Sequence, residues 1–360
     1  MISLSDEAKT LEMLAVVKEK PEKGFSLKKV TISTDLKADE VLVKVYRASF
    51  CGTDYHLYTY DDYAKGRIKL PLIVGHEFSG EIIKIGMNVN NLKVGDVVSA
   101  ESHIICEECE FCRRGEGHIC VETKVLGLDT DGCFANYVKL PAANCFVNSK
   151  DINPLFLSVQ EPLGNAVHTM AHFPIKDKNV VILGCGPIGL LAVDVAKAYG
   201  ARKVIAIEVK PYRETLALEI GADVVINPTR EDVVLRVLEE TGGLGADVIG
   251  EFTGNKQAIE QAFKYLKAGG AISMLGLPSE KIELDFSHDV VHKGISIYGV
   301  TGRRIYDTWH QVRELVESGK LHLDKIITHE LPLREINRAG EIMGSGNCGK
   351  IVLIPEEIDE

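Results

Sequence analysis

Residues 179–208 read NVVILGCGPIGLLAVDVAKAYGARKVIAIE, and the order of patterns within them decides the fold. NVVILGCG is a buried apolar strand, GLLAVDVAKAYG a helix and KVIAIE a second strand. Glycine turns are common and most hold nothing, but Gly184, Gly186 and Gly189 join that strand to that helix, the setting a dinucleotide site requires. Without side chains there, a pyrophosphate can lie against the helix N-terminus, where unpaired N–H groups and the helix dipole favour an anion. Glu208 ends the second strand 22 residues beyond Gly186, where a carboxylate can bind the adenosine ribose hydroxyls. A carboxylate would repel a 2′-phosphate, which favours NAD over NADP; Lys210 and Arg213 temper the choice, because either could receive that phosphate.

Further units follow this stretch. DVVI, ADVIGEF, AISMLG and ISIYGV read as strands, and RETLALEIG, VVLRVLEETG and KQAIEQAFKYLKAG as helices. Such alternation predicts a parallel sheet covered on both faces and joined by right-handed crossovers. In DTWHQVRELVESGK, residues Trp309, Val312, Leu315 and Val316 share one helical face, a core stripe. The first half is different: EVLVKVYRA, GEIIKIG, GDVVSA and ANYVKL are strand-like and separated by Gly, Asn and Asp turn signals. The acidic tail PEEIDE reads as a solvated terminus.

The 360 residues suggest two domains, and 45% hydrophobic with 26% charged residues is a globular composition. The balance of 41 Lys+Arg against 52 Asp+Glu gives a net charge of −11, which argues against nucleic acid as a partner. No apolar run approaches the ~20 residues of a membrane helix, and MISLSDEAKTLEMLAVVKEK lacks the basic flank and cleavage site of a secretory signal. A cytoplasmic protein with no membrane partner is expected.

The nine cysteines are unevenly spread, which suggests metal rather than disulfides. Cys106, Cys109, Cys112 and Cys120 are separated by intervals of two, two and seven residues, and four thiolates so spaced can close a tetrahedron around Zn²⁺ with no open position, a structural site. The bacterial iron–sulfur run has a three-residue last gap followed by Pro, whereas here the gap is seven and Val121 follows. A second group is Cys51 in SFCGTDYH with His76 and Glu77 25 and 26 residues on. Singly each is weak evidence, but sulfur, imidazole and carboxylate together suit a zinc ion whose fourth position is open to water or substrate, a catalytic metal. Glu161 in QEPLGNAVHT either ligates that ion, acts on it through another ligand, or is a surface acid capping a helix near Pro162.

With GHEFSGEIIKIG, the four-cysteine lobe and GCGPIG followed by an acid, the chain resembles the zinc-dependent medium-chain dehydrogenase/reductase family over nearly its whole length. SFCGTDYHLY, ESHIIC, LGLDTDGCFANY, QEPLGNAVHT, GVTGRR with DTW soon after, and IITHELPL are similar to the branch that oxidises L-threonine. The resemblance implies an α/β protein with a GroES-like β-rich catalytic domain over residues 1–163, completed by 306–360 and bearing the zinc lobe at 103–123. Around a Rossmann NAD-binding domain at 164–305 it would form an active-site cleft. It implies two Zn²⁺ per chain, one catalytic on Cys51, His76 and Glu77 and one structural on the four cysteines. Glu161 matches an acid near the metal, Thr53 and His56 a proton relay, and His103 a histidine that influences specificity. Ile188, Glu208, Arg213, Leu275, Gly276, Leu277, Val300 and Thr301 match NAD-contacting positions beside the glycines.

The implied reaction moves a hydride from a secondary alcohol to NAD⁺, with the proton leaving by Thr53, the nicotinamide ribose and His56. L-Threonine would give L-2-amino-3-oxobutanoate; a polyol, sugar or sugar acid is the alternative small-molecule substrate. The family implies a homotetramer. Where related sequences carry a Trp-containing stretch after the relay histidine, this chain has Tyr58, Thr59, Tyr60, Asp61, Asp62 and Tyr63, a segment expected to border the substrate or a subunit contact. The first dozen residues look like an extension.

Overall fold

The computed structural model describes residues 9–357. They divide into two units, Met1–Glu161 with His329–Ser345 and Lys350–Glu360, and Pro162–Thr328 with Gly346–Gly349. The first unit opens with β1 (Thr10–Lys18), β2 (Ser26–Ser33) and β3 (Glu40–Phe50), then the short helices α1 (Gly52–Thr59) and α2 (Asp62–Arg67). It continues through β4 (Leu72–Ile73), β5 (Glu77–Ile85), β6 (Val97–Ala100), β7 (His103–Ile104), α3 (Glu110–Arg113), β8 (Lys124–Val125), β9 (Tyr137–Pro141), β10 (Cys145–Asn148) and α4 (Pro154–Leu157). The division between units falls inside α5 (Gln160–Ala171).

The four strands expected in the first half are present as β3, β5, β6 and β9. β1, β2 and β4 form a three-stranded sheet in the order β2-β1-β4. Residues 1–8 of the expected extension lie outside the described residues, while Thr10, Leu11 and Glu12 belong to β1 and pair with Ser33, Ile32 and Thr31. A seven-stranded sheet has the order β10-β6-β5-β3-β18-β17, with β9 also on β3; its last two members, β17 (Ile327–Pro332) and β18 (Lys350–Ile354), flank α12 (Ile336–Ser345). Of the tail expected to be a solvated terminus, residues 358–360 lie outside the described residues, and Glu357 is exposed but Pro355 and Glu356 are half-buried. Glu356 pairs with Arg334 through its carboxylate, and its carbonyl accepts from Asn136 Nδ2 at 2.6 Å.

The second unit contains the decisive stretch. β11 (Asn179–Leu183), β12 (Lys203–Ile207), β13 (Val224–Ile226), β14 (Ala246–Glu251), β15 (Leu266–Met274) and β16 (Ser296–Gly299) form a parallel sheet in the order β13-β12-β11-β14-β15-β16. The helices between strands are α6 (Pro187–Ala198), α7 (Pro211–Ile220), α8 (Val233–Glu240) and α9 (Lys256–Tyr265). Chain order reverses between β11 and β14, the switch point at which doubly wound sheets take ligands beyond the strands' carboxyl ends. Burial on both faces explains the unbroken apolar run of NVVIL, every residue of which is buried. Val181, Ile205, Ile249, Phe263 and Ile272 share one core cluster.

Two boundaries differ from expectation. KQAIEQAFKYLKAG reads as one helix, but α9 ends at Tyr265 and LKAG belongs to β15, because Leu266 pairs with Ala246 and the ladder bulges before resuming at Val248. The return to the first unit falls at His329 rather than 306, so α10 (Asp307–Glu317) and α11 (Leu323–Ile326) lie in the second. The expected stripe on α10 is core, with Trp309, Val312 and Leu315 buried. Buried Asp194 of α6 ties this region to the sheet unit, accepting from His322 N at 2.6 Å and facing His322 Nδ1 at 3.0 Å.

Candidate functional site

Strand register assembles the first group. Ser49 of β3 pairs with Glu77 of β5, and on the other side Phe50 pairs with Ile351 of β18. Cys51 leaves the end of β3 and His76 immediately precedes β5, so residues 25 apart in sequence meet at one sheet end. A sulfur, a ring nitrogen and a carboxylate oxygen from Cys51, His76 and Glu77 lie within 4.8 Å of one another. Glu77 is fully buried; its Oε2 accepts from Ser49 Oγ and from the buried Lys350 ammonium, which also donates to Phe50 O at 3.0 Å.

Cys51 is also the N-cap of α1, and its N–H donates to Asp54 Oδ2 at 2.9 Å. The other oxygen of fully buried Asp54 faces His76 Nδ1 at 3.7 Å. Burial pushes the Asp54 carboxyl up to about 6. Burial and the Glu77 charge raise the Cys51 thiol. For His76, burial opposes the charged ring, but Asp54, Cys51 and Glu161 outweigh it and hold its pKa well above the ordinary value.

This donor set fits a divalent cation. Glu77 Oε1, His76 Nδ1 and Asp54 Oδ1 are buried without a hydrogen-bond partner, anionic groups are crowded out of water, and three ligands of S, N and O character leave a coordination position open on zinc.

The structure does not bring Glu161 into that three-residue group. Nor is it a surface acid: it is 5% exposed at the start of α5, and its Oε1 accepts from Ser102 Oγ at 2.6 Å. Thr53 and His56 share α1 with the Cys51 cap. His103 lies on β7, with its backbone N–H donating to buried Glu101 Oε1 at 2.9 Å and its Nδ1 3.0 Å from the same oxygen. Asp54, Ser102, Glu101 and Lys350 were missed by sequence reading. Asp54 had a signal, the cap-to-third-residue spacing from Cys51; Lys350 had none, being placed by pairing across 273 residues.

The four lobe cysteines also converge within 4.8 Å. Sulfur–sulfur distances of 3.5 Å for Cys109–Cys112 and Cys106–Cys120 and 3.9 Å for Cys106–Cys112 bracket the ~3.8 Å edge of a tetrahedron with Zn–S near 2.3 Å. Backbone N–H groups of Cys109 and Glu122 point at Cys106 and Cys120 sulfur at 3.3 and 3.4 Å. β7 and β8 pair to close the loop at its base. All nine cysteines are free of disulfides.

In the second unit the motif glycines play different parts. Gly184 has φ +92°, and a Cβ at Gly189 would stand 1.9 Å from Gly184 O, so strand and helix touch there through bare backbone. A Cβ at Gly186 would meet nothing within 4 Å, although Gly186 is the N-cap of α6, with Pro187 and Ile188 opening the helix. The space beside this helix N-terminus is open, and a helix N-terminus favours an anion.

Glu208 follows β12, buried, accepting from Cys185 N at 2.9 Å through Oε2 and from Val209 and Lys210 N–H groups at 2.8 and 2.9 Å through Oε1. It therefore braces the glycine turn. Arg213 Nε donates to Cys348 O at 3.0 Å. Leu275 and Gly276 follow β15 and donate their N–H groups to Glu251 O at 3.0 and 3.2 Å; Leu277 is exposed. Val300 and Thr301 follow β16. All these positions lie beyond the carboxyl ends of parallel strands.

Residues 37–150 match the model described as alcohol dehydrogenase GroES-like domain, and residues 187–318 match zinc-binding dehydrogenase. An L-threonine 3-dehydrogenase of Caldanaerobacter subterraneus subsp. tengcongensis is 50% identical over 344 residues, covering 95% of this chain and 99% of that protein. Among solved structures, an alcohol dehydrogenase from Thermotoga maritima is 31% identical with a TM-score of 0.87, covering 96% of this chain and 100% of its own. A zinc-binding dehydrogenase from Sinorhizobium meliloti 1021 bound to NADP is 28% identical with a TM-score of 0.87, over 96% and 100% of the two chains. With identity sustained along nearly the full length and both halves matched, this chain belongs to the zinc-binding dehydrogenases, enzymes that pair a GroES-like domain with a Rossmann-type parallel sheet.

Proposed function

We propose that this enzyme oxidises the secondary hydroxyl of L-threonine with NAD⁺, giving L-2-amino-3-oxobutanoate, NADH and a proton. The observation that carries the chemistry is the buried Cys51–His76–Glu77 group with its orphaned carboxylate oxygen; the substrate follows the name carried by relatives such as the one from Caldanaerobacter. Bound to these three residues, zinc would supply Lewis acidity to a hydroxyl, and NAD⁺ the hydride acceptor.

The remaining work falls to the chain. Asp54 orients His76, while Lys350 and Ser49 occupy one oxygen of Glu77 and leave the other for the ion. The Thr53 hydroxyl, which can accept and donate at once, takes the proton, and the half-exposed His56 releases it to solvent. His103, held by Glu101, and Glu161, held by Ser102, orient the substrate side of the centre. In the second unit the N-terminus of α6 holds the pyrophosphate, Glu208 the adenosine ribose, and Ile188, Arg213, 275–277 and 300–301 line the rest.

The four lobe cysteines hold a second, structural zinc. The same reading makes the enzyme a cytoplasmic homotetramer. No helix among the described residues is long and apolar enough to cross a membrane, and β16, with Ser296 and Ile297 exposed, is a sheet edge available for pairing with another copy.

Initial rates of NADH formation by zinc-replete protein test the assignment. L-Threonine should exceed sorbitol, inositol and hexonates in kcat/KM by about 10⁴-fold, the loss expected when a site's buried polar groups go unpaired. NAD⁺ should also be preferred to NADP⁺. Turnover of a polyol with none of L-threonine would overturn the substrate assignment.

A further inference from the structure

We propose that Asp61 is a positioning residue for the proton relay: its carboxylate holds His56 in the Nδ1–H form, leaving Nε2 as the nitrogen that takes up and releases the proton. The proposal rests on the relay role given to His56 above. After α1, Tyr60 adopts the left-handed conformation (φ 54°, ψ 49°), its N–H donating to His56 O, and the Asp61 N–H reaches the same carbonyl at 3.4 Å. That conformation is disfavoured for a residue with a Cβ. Here the buried Lys18 ammonium, 5.1 Å from the Tyr60 ring centroid, holds the turn from the other side.

The turn lays Asp61 back over the last turn of α1, and its two oxygens then do separate work. Oδ1 accepts from Tyr63 N at 3.1 Å and Ala64 N at 3.3 Å, capping α2. Oδ2 lies 2.5 Å from His56 Nδ1. The cap needs only Oδ1, so the second contact is not a by-product of helix initiation. A carboxylate accepts, so the ring nitrogen facing it carries hydrogen. Tyr63 of α2 stands with its ring centroid 5.3 Å from that of His56. The nearby charges are spent on one another, Lys65 on Asp62 at 2.9 Å and Arg67 on Asp129. Burial works against the Asp61 charge, but His56 and the two capping N–H groups outweigh it and hold the carboxyl below the usual range. Both side chains are near half exposure, 50% for His56 and 40% for Asp61, so Nε2 is left with access to water.

The cap makes the test sharp. In Asp61→Asn the Tyr63 and Ala64 N–H groups still demand an acceptor, which forces the amide NH₂ toward His56 Nδ1 and the neutral ring into the Nε2–H form. Asp61→Ser keeps a good N-cap but cannot reach the ring. In zinc-replete enzyme, kcat should fall about 10- to 100-fold in both variants, with KM for NAD⁺ and thermal midpoint near wild type. Asp61→Glu should recover part of the loss. Imidazole ¹⁵N shifts of histidine-labelled protein should report Nδ1–H at His56 in wild type and Nε2–H in Asp61→Asn, a readout independent of turnover. Adding Asp61→Asn to His56→Gln should cost nothing more.

Full kcat in Asp61→Asn, or a wild-type ring protonated on Nε2, overturns the proposal while leaving the relay intact if His56→Gln is impaired. Full kcat and an unchanged pH profile in His56→Gln would overturn the relay itself and this inference with it.

Discussion

Lys18 and Lys350 are both buried cations, and they behave in opposite ways. Lys350 meets a carboxylate, and Glu77 with Cys51 outweighs the burial that would depress it, so its pKa is raised. Lys18 meets only carbonyls, of Glu22 and Gly24, and the rings of Phe25 and Tyr60; burial brings its pKa down to about 8, against a smaller opposing effect of Glu22. The unfolded chain keeps that proton to about 10.5 and the folded chain only to about 8. Between those values the unfolded state binds more protons, so stability should climb as pH rises through the interval. Urea unfolding at both ends should show wild type gaining on the order of 3 kcal/mol over Lys18→Met. Equal pH dependence in the two proteins would contradict the burial of a charged Lys18. Residues near in sequence were legible and distant ones were not: Cys51, His76 and Glu77 announce themselves by type and spacing, whereas the lysine that balances Glu77 is fixed only when β18 pairs with β3.

The strand–turn–helix of β11 and α6 was readable because its glycines are demanded locally, two by contact and one by the space it leaves. These reasons predict different failures. Gly189→Ala drives a methyl into the Gly184 carbonyl and should lose several kcal/mol of stability. Gly186→Ala meets no protein atom within 4 Å and should fold with an unchanged thermal midpoint, yet bind NADH about 10-fold or more weakly by calorimetry. Normal NADH affinity in a folded Gly186→Ala protein would move the pyrophosphate elsewhere. The lobe was equally legible, since four cysteines within fifteen residues admit few uses. Less legible were β1 and β2, whose pairing runs between residues as far apart as Thr10 and Ser33. So was the end of α9, where LKAG keeps a helical composition but is claimed by the ladder with β14. In each case a partner strand, not local preference, decided the outcome.

Taken together, the chain divides chemical labour between its units. The first, built on β-sheets, brings together two groups of side chains that could hold a metal ion; the second is a parallel sheet with reversed strand order, the arrangement in which dinucleotides bind beyond the strand ends. The resemblance read from GHEFSGEIIKIG and GCGPIG covers both, and the family matches fall on both. Where the chain returns to the first unit was not legible in sequence, because the apolar stripe of α10 does not reveal which unit it packs in.

The two metal groups also differ in what they leave open, four sulfurs at tetrahedral spacing against three mixed ligands, so loss of each ion should have a different consequence. The decisive measurement is the rate of NADH formation from L-threonine by folded protein that retains zinc only on Cys106, Cys109, Cys112 and Cys120, before and after zinc is restored to Cys51, His76 and Glu77. Activity that is absent with the first ion alone and returns in proportion to the second is the predicted result; full activity while the second group stays metal-free would contradict it.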